Sequence, residues 1–279
     1  MKKIGLFFMA GICIVVLFLG HLHWNNMSKA AGIEGKKAAE RIKEKEKKER
    51  QALIHSLSPE NNKQQSLIDY LHYKSLIKDK AIISILGSNG TAGTGASNSS
   101  NSWAGRLEKN LHSESVDLAT LSLINRGHEG YSTTDLLEGK KIDSIIKDNP
   151  DLVIFENSLI NNHNQSISLE QTEKDLINIM SNFQKKLPNT KILMISPNPV
   201  ANSKTENSIG FNYLDYIKVS EKIIKKNNWS YIDSVQGIQK KLKDENIILA
   251  DILSEDNIHL NDQGYHIWSE VLYDYFRME

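Results

Sequence analysis

Apolar and polar positions alternate regularly from residue 80 onward. Short apolar runs rich in β-branched residues are separated by longer segments in which apolar residues recur every three or four positions. The runs have the length of buried strands, and the longer segments have the period of helices packed on one face. The predicted strands are Ala81–Leu86, Val116–Leu123, Leu152–Phe155, Ile192–Ile195 and Trp229–Ile232. The predicted helices are Trp103–Leu111, Leu169–Leu187, Tyr213–Asn227 and Gly264–Phe276.

This order of elements predicts an α/β fold. Strands that alternate with helices form a mostly parallel sheet with helices on both faces, here a three-layer α/β/α sandwich of about five strands, similar to flavodoxin. Ligands bind such sheets at the carboxyl ends of the strands. The first predicted strand stops abruptly at Gly87-Ser88-Asn89-Gly90, which is either a candidate active-site turn or a plain loop of small residues.

The first 24 residues show a different pattern. Lys2 and Lys3 precede an uncharged stretch, Ile4–Gly20, and apolar residues continue patchily to Trp24. A helix of this length reaches roughly 30 Å, enough to cross a bilayer core, with the lysines on the cytoplasmic side. We therefore expect a single-pass membrane anchor over residues 1–24, with the rest of the chain extracellular.

A cleaved signal peptide is the alternative to an anchor. Ser28-Lys29-Ala30 offers small residues at a spacing that suits a peptidase, and cleavage there would make the protein secreted. Residues 25–66 are predicted to form a charged helical stalk or linker, because opposite charges in Gly35–Gln51 recur at helical spacing. Contact of this segment with anionic wall polymer or lipid headgroups is a further interpretation, since its charge excess is positive. Residues 67–279 are assigned to the α/β domain.

Composition narrows the class of partner and of chemistry. The 34 basic and 34 acidic side chains cancel, so no general attraction to nucleic acid is expected. Cys13 is the only cysteine, which excludes an intrachain disulfide and a cysteine metal site. With 39% hydrophobic residues, the chain can bury a full core.

A short motif near the carboxyl terminus has the spacing of a catalytic pair. Asp256 lies three residues before His259, in a loop just ahead of the last predicted helix. An aspartate in this position can accept a hydrogen bond from one imidazole nitrogen, which leaves the other nitrogen to take a proton from a nucleophile. Taken alone, this spacing is also common in surface loops.

Four motifs together resemble the SGNH (GDSL-type) hydrolase family over roughly residues 80–276. The family's first block, Gly-Asp-Ser-x-Thr-x-Gly, corresponds to Gly87-Ser88-Asn89-Gly90-Thr91-Ala92-Gly93. The glycine of the second block matches Gly130, and the asparagine of the third block matches Asn161. The final Asp-x-x-His block matches Asp256 and His259.

The resemblance implies a serine esterase, or deacylase, that acts on O-acyl esters of surface glycans, lipids or small molecules. In that mechanism His259 is the base and Asp256 orients it. The N–H groups of Gly130 and of the nucleophile position, Asn89, and the amide of Asn161 form the oxyanion hole. The resemblance implies no metal or organic cofactor.

The nucleophile departs from the family pattern. Asn89 stands where the serine belongs and Ser88 where the aspartate belongs, and an amide has no hydroxyl to deprotonate. Three interpretations remain open: Ser88 is a shifted nucleophile, turnover has been lost, or His259 activates water. The predicted catalytic residues are Ser88, Asp256 and His259.

Two further functions are compatible with the same motifs. One is a non-catalytic module that binds an acylated glycan or a partner protein. The other is an O-acyltransferase, which uses the same triad but passes the acyl group to a sugar. The side chains expected to meet sugar hydroxyls in the binding module are Asn89, Asn125, Asn157, Asn161, Asn162 and His163.

Overall fold

A computed structural model describes residues 2–78 and 80–278, with the backbone alone for residues 2–7 and residue 10. The described chain divides into two compact units, one ending at Ser56 and the other beginning at Leu57. The first unit is a helix, α1 (Lys2–Leu57). Exposed ion pairs at helical spacing, such as that of Lys48 with Glu44, lie along its charged part.

The anchor predicted at Ile4 to Trp24 is not supported. Over the residues that the structure describes, no helix combines the length and the apolar character needed to cross a membrane. The uncharged stretch ends at His21, and the same helix continues without a break into the charged segment. The side chains of residues 4–7 and 10, which belong to the predicted anchor, lie outside the described residues.

The second unit contains five strands and ten helices among its described residues. The strands are β1 (Ile82–Gly87), β2 (Ser122–Gly127), β3 (Leu152–Glu156), β4 (Lys191–Ile195) and β5 (Tyr231–Ile232). The helices are α2 (Leu67–Lys78), α3 (Asn89–Ala92), α4 (Trp103–Glu114), α5 (Thr133–Glu138), α6 (Lys141–Asp148), α7 (Leu159–Asn164), α8 (Leu169–Lys186), α9 (Tyr213–Asn227), α10 (Ser234–Asp244) and α11 (Asp262–Phe276).

The five strands form one sheet in the order β2-β1-β3-β4-β5, and all four pairings are parallel. The predicted fold class is therefore confirmed for the domain. The direction of winding reverses between β1 and β3, and a crevice at such a reversal is where ligands bind in open α/β sheets. Gly87 ends β1 and Glu156 ends β3, so both lie at this crevice.

Alternate residues of the central strands enter two separate cores. Ile83 and Ile85 of β1 belong to a cluster on one face of the sheet, whereas Leu86 belongs to a cluster on the other. Side chains of a strand point alternately to its two faces, so a central strand covered by helices on both sides is apolar throughout. The continuous apolar run in the sequence is explained by this double coverage.

One strand boundary and several short helices differ from the sequence predictions. Val116–Leu118 is a 3₁₀ turn rather than the start of β2, because the Ser115 hydroxyl accepts a hydrogen bond from the Leu118 N–H and caps the turn. Val116 is left 91% exposed. The helices α3, α5, α6, α7 and α10 were not predicted. All of these except α10 have at most 8 residues, which is too short to show a sustained period of 3.6 residues.

Candidate active site

Only glycine fits at the first position of the turn after β1, because the space around this position is narrow. A Cβ atom on Gly87 would collide with the Thr91 side chain and would lie 2.8 Å from Oε2 of Glu156. Ser88 follows as the N-cap of α3, and Asn89 is the first residue of that helix. The turn therefore places two adjacent polar side chains at the crevice between β1 and β3.

The Asn89 amide makes three contacts with the predicted site residues. Its Oδ1 accepts hydrogen bonds from the Gly130 N–H at 2.6 Å and from Nδ2 of Asn161 at 2.9 Å. Its Nδ2 lies 2.8 Å from Nε2 of His259. Because two donors face one end of the amide, the oxygen must occupy that end and the NH2 group must face the imidazole. The amide oxygen thus fills the position in which the two donors would hold a substrate oxygen.

His259 and Asp256 form a hydrogen-bonded pair. Nδ1 of His259 lies 2.5 Å from Oδ2 of Asp256, while Oδ1 of the same carboxylate accepts the N–H groups of Ile258 and His259 at 2.9 Å each. Burial opposes ionisation, but these hydrogen bonds outweigh it and hold the pKa of Asp256 below its usual value. With its Nδ1 proton donated to Asp256, the imidazole presents Nε2 as an acceptor to Asn89.

The loop that carries Gly130 is built to direct its N–H toward Asn89. Gly130 has a φ of +76°, in the left-handed region where glycine is unstrained. Gln165 donates from Nε2 to the Gly130 carbonyl oxygen at 2.7 Å and to Asp135 Oδ2 at 2.9 Å. Asp135 also forms a capping box with Ser132 at the start of α5, so the loop is tied to a helix end.

Asn161 reaches the same point from α7. Its side chain is almost fully buried, and Nδ2 also donates to the Tyr131 carbonyl oxygen at 3.0 Å. One amide group therefore binds both the Gly130 loop and Asn89.

The loop of His259 is held by a different asparagine, Asn198, whose buried Nδ2 donates to the Ile258 carbonyl oxygen at 2.8 Å.

Ser88 faces a different partner from Asn89. Its N–H and its hydroxyl both donate to Oε2 of Glu156, at 2.7 and 2.9 Å. The same oxygen accepts a bond from the Thr91 hydroxyl, and Oε1 accepts the Ser158 N–H at 2.8 Å. Burial raises the pKa of the Glu156 carboxyl, and these hydrogen bonds oppose the rise. Ser88 is 2% exposed, on the inner side of the turn.

The structure thus brings five of the six predicted site residues together. Asn89, Gly130, Asn161, Asp256 and His259 form one continuous hydrogen-bonded chain. It does not bring the Ser88 hydroxyl to His259, because that hydroxyl is bonded to Glu156. The catalytic roles of all six residues remain predictions.

Several amides expected to meet a sugar are unavailable. Asn157 and Asn162 are fully buried, the first donating to Ser220 Oγ and the second to Thr133 and Thr172. Asn125 donates to the Thr91 carbonyl oxygen and accepts the Gly127 N–H, which fixes the end of β2. Burial closes Asn157 and Asn162 to a ligand, although Oδ1 of Asn157 has no hydrogen-bond partner among the described residues. Asn125 is exposed, and its two hydrogen bonds fix its orientation.

A small cavity adjoins the pair of Asp256 and His259 on the side of Asp256. Its volume is about 180 Å³, and Ile160, Val200 and Ile258 supply its apolar wall. Asn202 and Thr205 add polar groups to the lining. Among residues 2–78 and 80–278, no cluster of three or more histidine, cysteine, aspartate or glutamate side chains is placed to hold a metal ion.

Glu156, Asn198 and Gln165 were not predicted from the sequence. Glu156 carried one usable signal: it is a charged residue that directly continues an apolar strand, Leu152–Phe155, so it must be buried or lie at the strand's functional end. Asn198 and Gln165 lie in polar segments where nothing in the local pattern marks them. Their role depends on loops that come together only in the fold.

Comparison with known proteins identifies a family match and several structures of similar fold. A model of the "GDSL-like Lipase/Acylhydrolase family" matches residues 85–267. Among curated proteins, none matches the chain.

Solved structures of similar fold include a GDSL-like lipase from Parabacteroides merdae ATCC 43184, with a TM-score of 0.59 and 19% identity, covering 71% of this chain and 96% of that one. An acetyl-xylooligosaccharide esterase mutant from Geobacillus has a TM-score of 0.57 and 15% identity, covering 71% and 95%. A two-domain esterase active on acetylated mannans has a TM-score of 0.56 and 16% identity, and the match covers 74% of this chain but 52% of that esterase.

Proposed function

Because the chain belongs to the GDSL-like lipase/acylhydrolase family, we propose that its α/β domain recognises O-acyl esters on glycans, with little or no ester hydrolysis in the natural sequence. The observation that carries the proposal is the position of the Asn89 amide, with Nδ2 2.8 Å from Nε2 of His259. A covalent esterase mechanism needs a hydroxyl or thiol at this point, and an amide offers neither. The base therefore has no side-chain nucleophile to activate.

The donors around Asn89 are suited to an ester carbonyl. If the Asn89 side chain rotates away, the Gly130 N–H and the Asn161 amide become available to a ligand oxygen in the same place. Asn89 loses three hydrogen bonds in this rotation, and the ligand oxygen replaces the two made by the Gly130 N–H and the Asn161 amide, so neither donor is left unsatisfied. Recognition of a carbonyl oxygen thus requires no change in the rest of the site.

Glycan esters are the proposed substrate class because two neighbours in fold act on them. Their names specify acetylated mannans and acetyl-xylooligosaccharides. At 15% to 16% identity the likeness concerns the fold, so the ligand class is our proposal for this chain. Esters of lipids and of small molecules are the competing classes that the family resemblance allows.

Calorimetry with a matched pair of ligands tests the proposal. We expect the protein to bind an acetylated mannooligosaccharide and to bind the same oligosaccharide far more weakly after alkaline deacetylation. Asn161→Ala removes one donor and should weaken binding of the acetylated form by roughly tenfold. Equal affinity for the two ligands would contradict ester recognition. Rapid acetate release by the wild type would contradict the absence of hydrolysis, and slow release that depends on His259 would favour activation of water.

We also propose that the domain works outside the cytoplasm. The support is the pair Lys2 and Lys3 before the uncharged stretch Ile4–Gly20, a pattern typical of exported proteins. Protease added to intact cells should remove the domain, with a cytoplasmic protein as the control. Full protection of the domain in intact cells, lost on lysis, would contradict export. Sequencing of the mature amino terminus then shows whether cleavage occurs near Ala31.

A further inference from the structure

The contacts of Asn89 place its own side-chain amide in the geometry of a substrate. The amide oxygen is bonded to two N–H donors, and the amide nitrogen lies against the imidazole that would serve as the proton carrier. In acyl hydrolysis, such donors stabilise the negative oxygen of the tetrahedral intermediate, and the histidine protonates the leaving group. Two oxyanion donors and a proton carrier are therefore already arranged around Asn89, and only the attacking water must come from the solvent.

We propose that the site hydrolyses the Asn89 amide, converting Asn89 to aspartate with release of ammonia. Water adds to Cγ, and the charge that develops on Oδ1 is held by the Gly130 N–H and the Asn161 amide. A proton of the water passes through Nε2 of His259 to Nδ2, the Cγ–Nδ2 bond breaks, and ammonia leaves. The new carboxylic acid then ionises, so that one amide and one water yield one carboxylate and one ammonium ion.

The product is stabilised by the same contacts. One oxygen of a carboxylate at position 89 accepts hydrogen bonds from the two N–H donors, and the other oxygen accepts a hydrogen bond from the Nε2–H of His259. Charge-assisted hydrogen bonds of this kind are roughly twice as strong as neutral ones. The converted site would keep its donors permanently engaged, and an ester carbonyl could no longer displace the side chain cheaply. The reaction would act as a one-way switch on ligand binding.

A second deamidation route competes at this position because glycine follows Asn89. In that route the Gly90 nitrogen attacks Cγ to form a succinimide, which opens to a mixture of aspartate and isoaspartate. The helical turn opposes it: the Ala92 N–H donates to the Ser88 carbonyl oxygen at 2.9 Å and the Gly93 N–H to that of Asn89 at 3.0 Å, holding Asn89 and Gly90 in helical conformation. The two routes differ in product and in their dependence on His259.

Peptide mapping of the full-length protein during incubation tests the proposal. Trypsin releases residues 81–106 as one peptide. It holds Asn89 together with two internal references, the exposed Asn98 and the partly buried Asn101. We expect fragmentation spectra to show aspartate accumulating at position 89, with stoichiometric ammonia, faster than at either reference. An unchanged Asn89, or isoaspartate at that position, would overturn the proposal.

Three variants establish which groups act. His259→Ala should abolish the excess conversion at position 89, and Asn161→Ala should slow it on the order of 10²-fold, as for loss of one oxyanion donor. The matched control is His266→Ala, which removes an exposed histidine of α11 that contacts Glu270. This control should leave the rate unchanged. Circular dichroism confirms that each variant is folded. Conversion at the wild-type rate in both His259→Ala and Asn161→Ala would overturn the mechanism.

Discussion

Ser88 and Asn89 are neighbours in sequence, yet they belong to two separate hydrogen-bond networks. Ser88 points inward to Glu156, a fully buried carboxylate that receives four hydrogen bonds. Asn89 points to the open side, where His259, Gly130 and Asn161 converge. The inner network holds the turn in shape, and the outer network is the one that we propose to meet a ligand. Two adjacent residues of the chain, Ser88 and Asn89, therefore belong to networks with different proposed roles, one in stability and one in ligand binding.

The largest expected effect is a gain of hydrolysis in Asn89→Ser. This change places a hydroxyl beside Nε2 of His259. It also removes the amide oxygen that now occupies the oxyanion donors, so these donors become available to a substrate. Loss of a catalytic serine costs on the order of 10⁶ in kcat, so the gain can approach that size. Acetate release from p-nitrophenyl acetate measures it, with Asn89→Ala as the control that lacks a hydroxyl. No gain in a folded Asn89→Ser protein would show that the outer network is not a working site.

The next effect concerns the base. In the Asn89→Ser background, adding His259→Ala should lower kcat by about 10² to 10⁴, the usual contribution of general acid–base catalysis. Adding Ser88→Ala should change kcat little, because that hydroxyl is bonded to Glu156 on the other face of the turn. If Ser88→Ala removed the activity and His259→Ala did not, the two networks would not be separate as proposed.

On the inner side, changes should affect stability rather than chemistry. Both oxygens of Glu156 accept N–H donors, and an amide has only one accepting oxygen, so Glu156→Gln sets an NH2 group against a donor. We expect a loss of about 1–3 kcal/mol in the free energy of unfolding. Ser88→Ala removes one hydroxyl bond and should cost about 1 kcal/mol. Urea unfolding measures both, and Glu170→Gln, which removes only an exposed ion pair with Lys174, should change the stability little.

The smallest effect is a pH dependence at Asp256. Its pKa is lowered in the folded state, so its contribution to stability is present above its ordinary pKa of 3.8 and is lost as the pH falls through the lowered value. Asp256→Asn should therefore narrow its stability gap to the wild type between about pH 5 and pH 2. Urea midpoints of the two proteins, measured at each pH in this range, test the prediction. A constant difference between them would mean that the hydrogen bonds to His259 and Ile258 do not favour the carboxylate.

Much of the fold was predictable because it follows from local periodicity. The apolar runs marked all five strands, and β3 and β4 were located to within one residue of the observed limits. The boundary of β2 was wrong because a side-chain cap at Ser115 outweighed the β propensity of Val116. The membrane anchor was inferred from an uncharged stretch, but among the residues that the structure describes no helix is long and apolar enough to span a membrane.

The sequence by itself determined the alternation of strands and helices and the residues of the outer network. Three features can be read without a structure: the spacing of Asp256 and His259, the glycines Gly87 and Gly130, and Asn89 at the position where the family pattern has serine. Only the tertiary structure decided which of Ser88 and Asn89 faces His259, because Glu156, 68 residues away from Ser88, draws the serine inward. The direction of a side chain in a turn is set by partners from other strands, and one sequence does not show which partners meet.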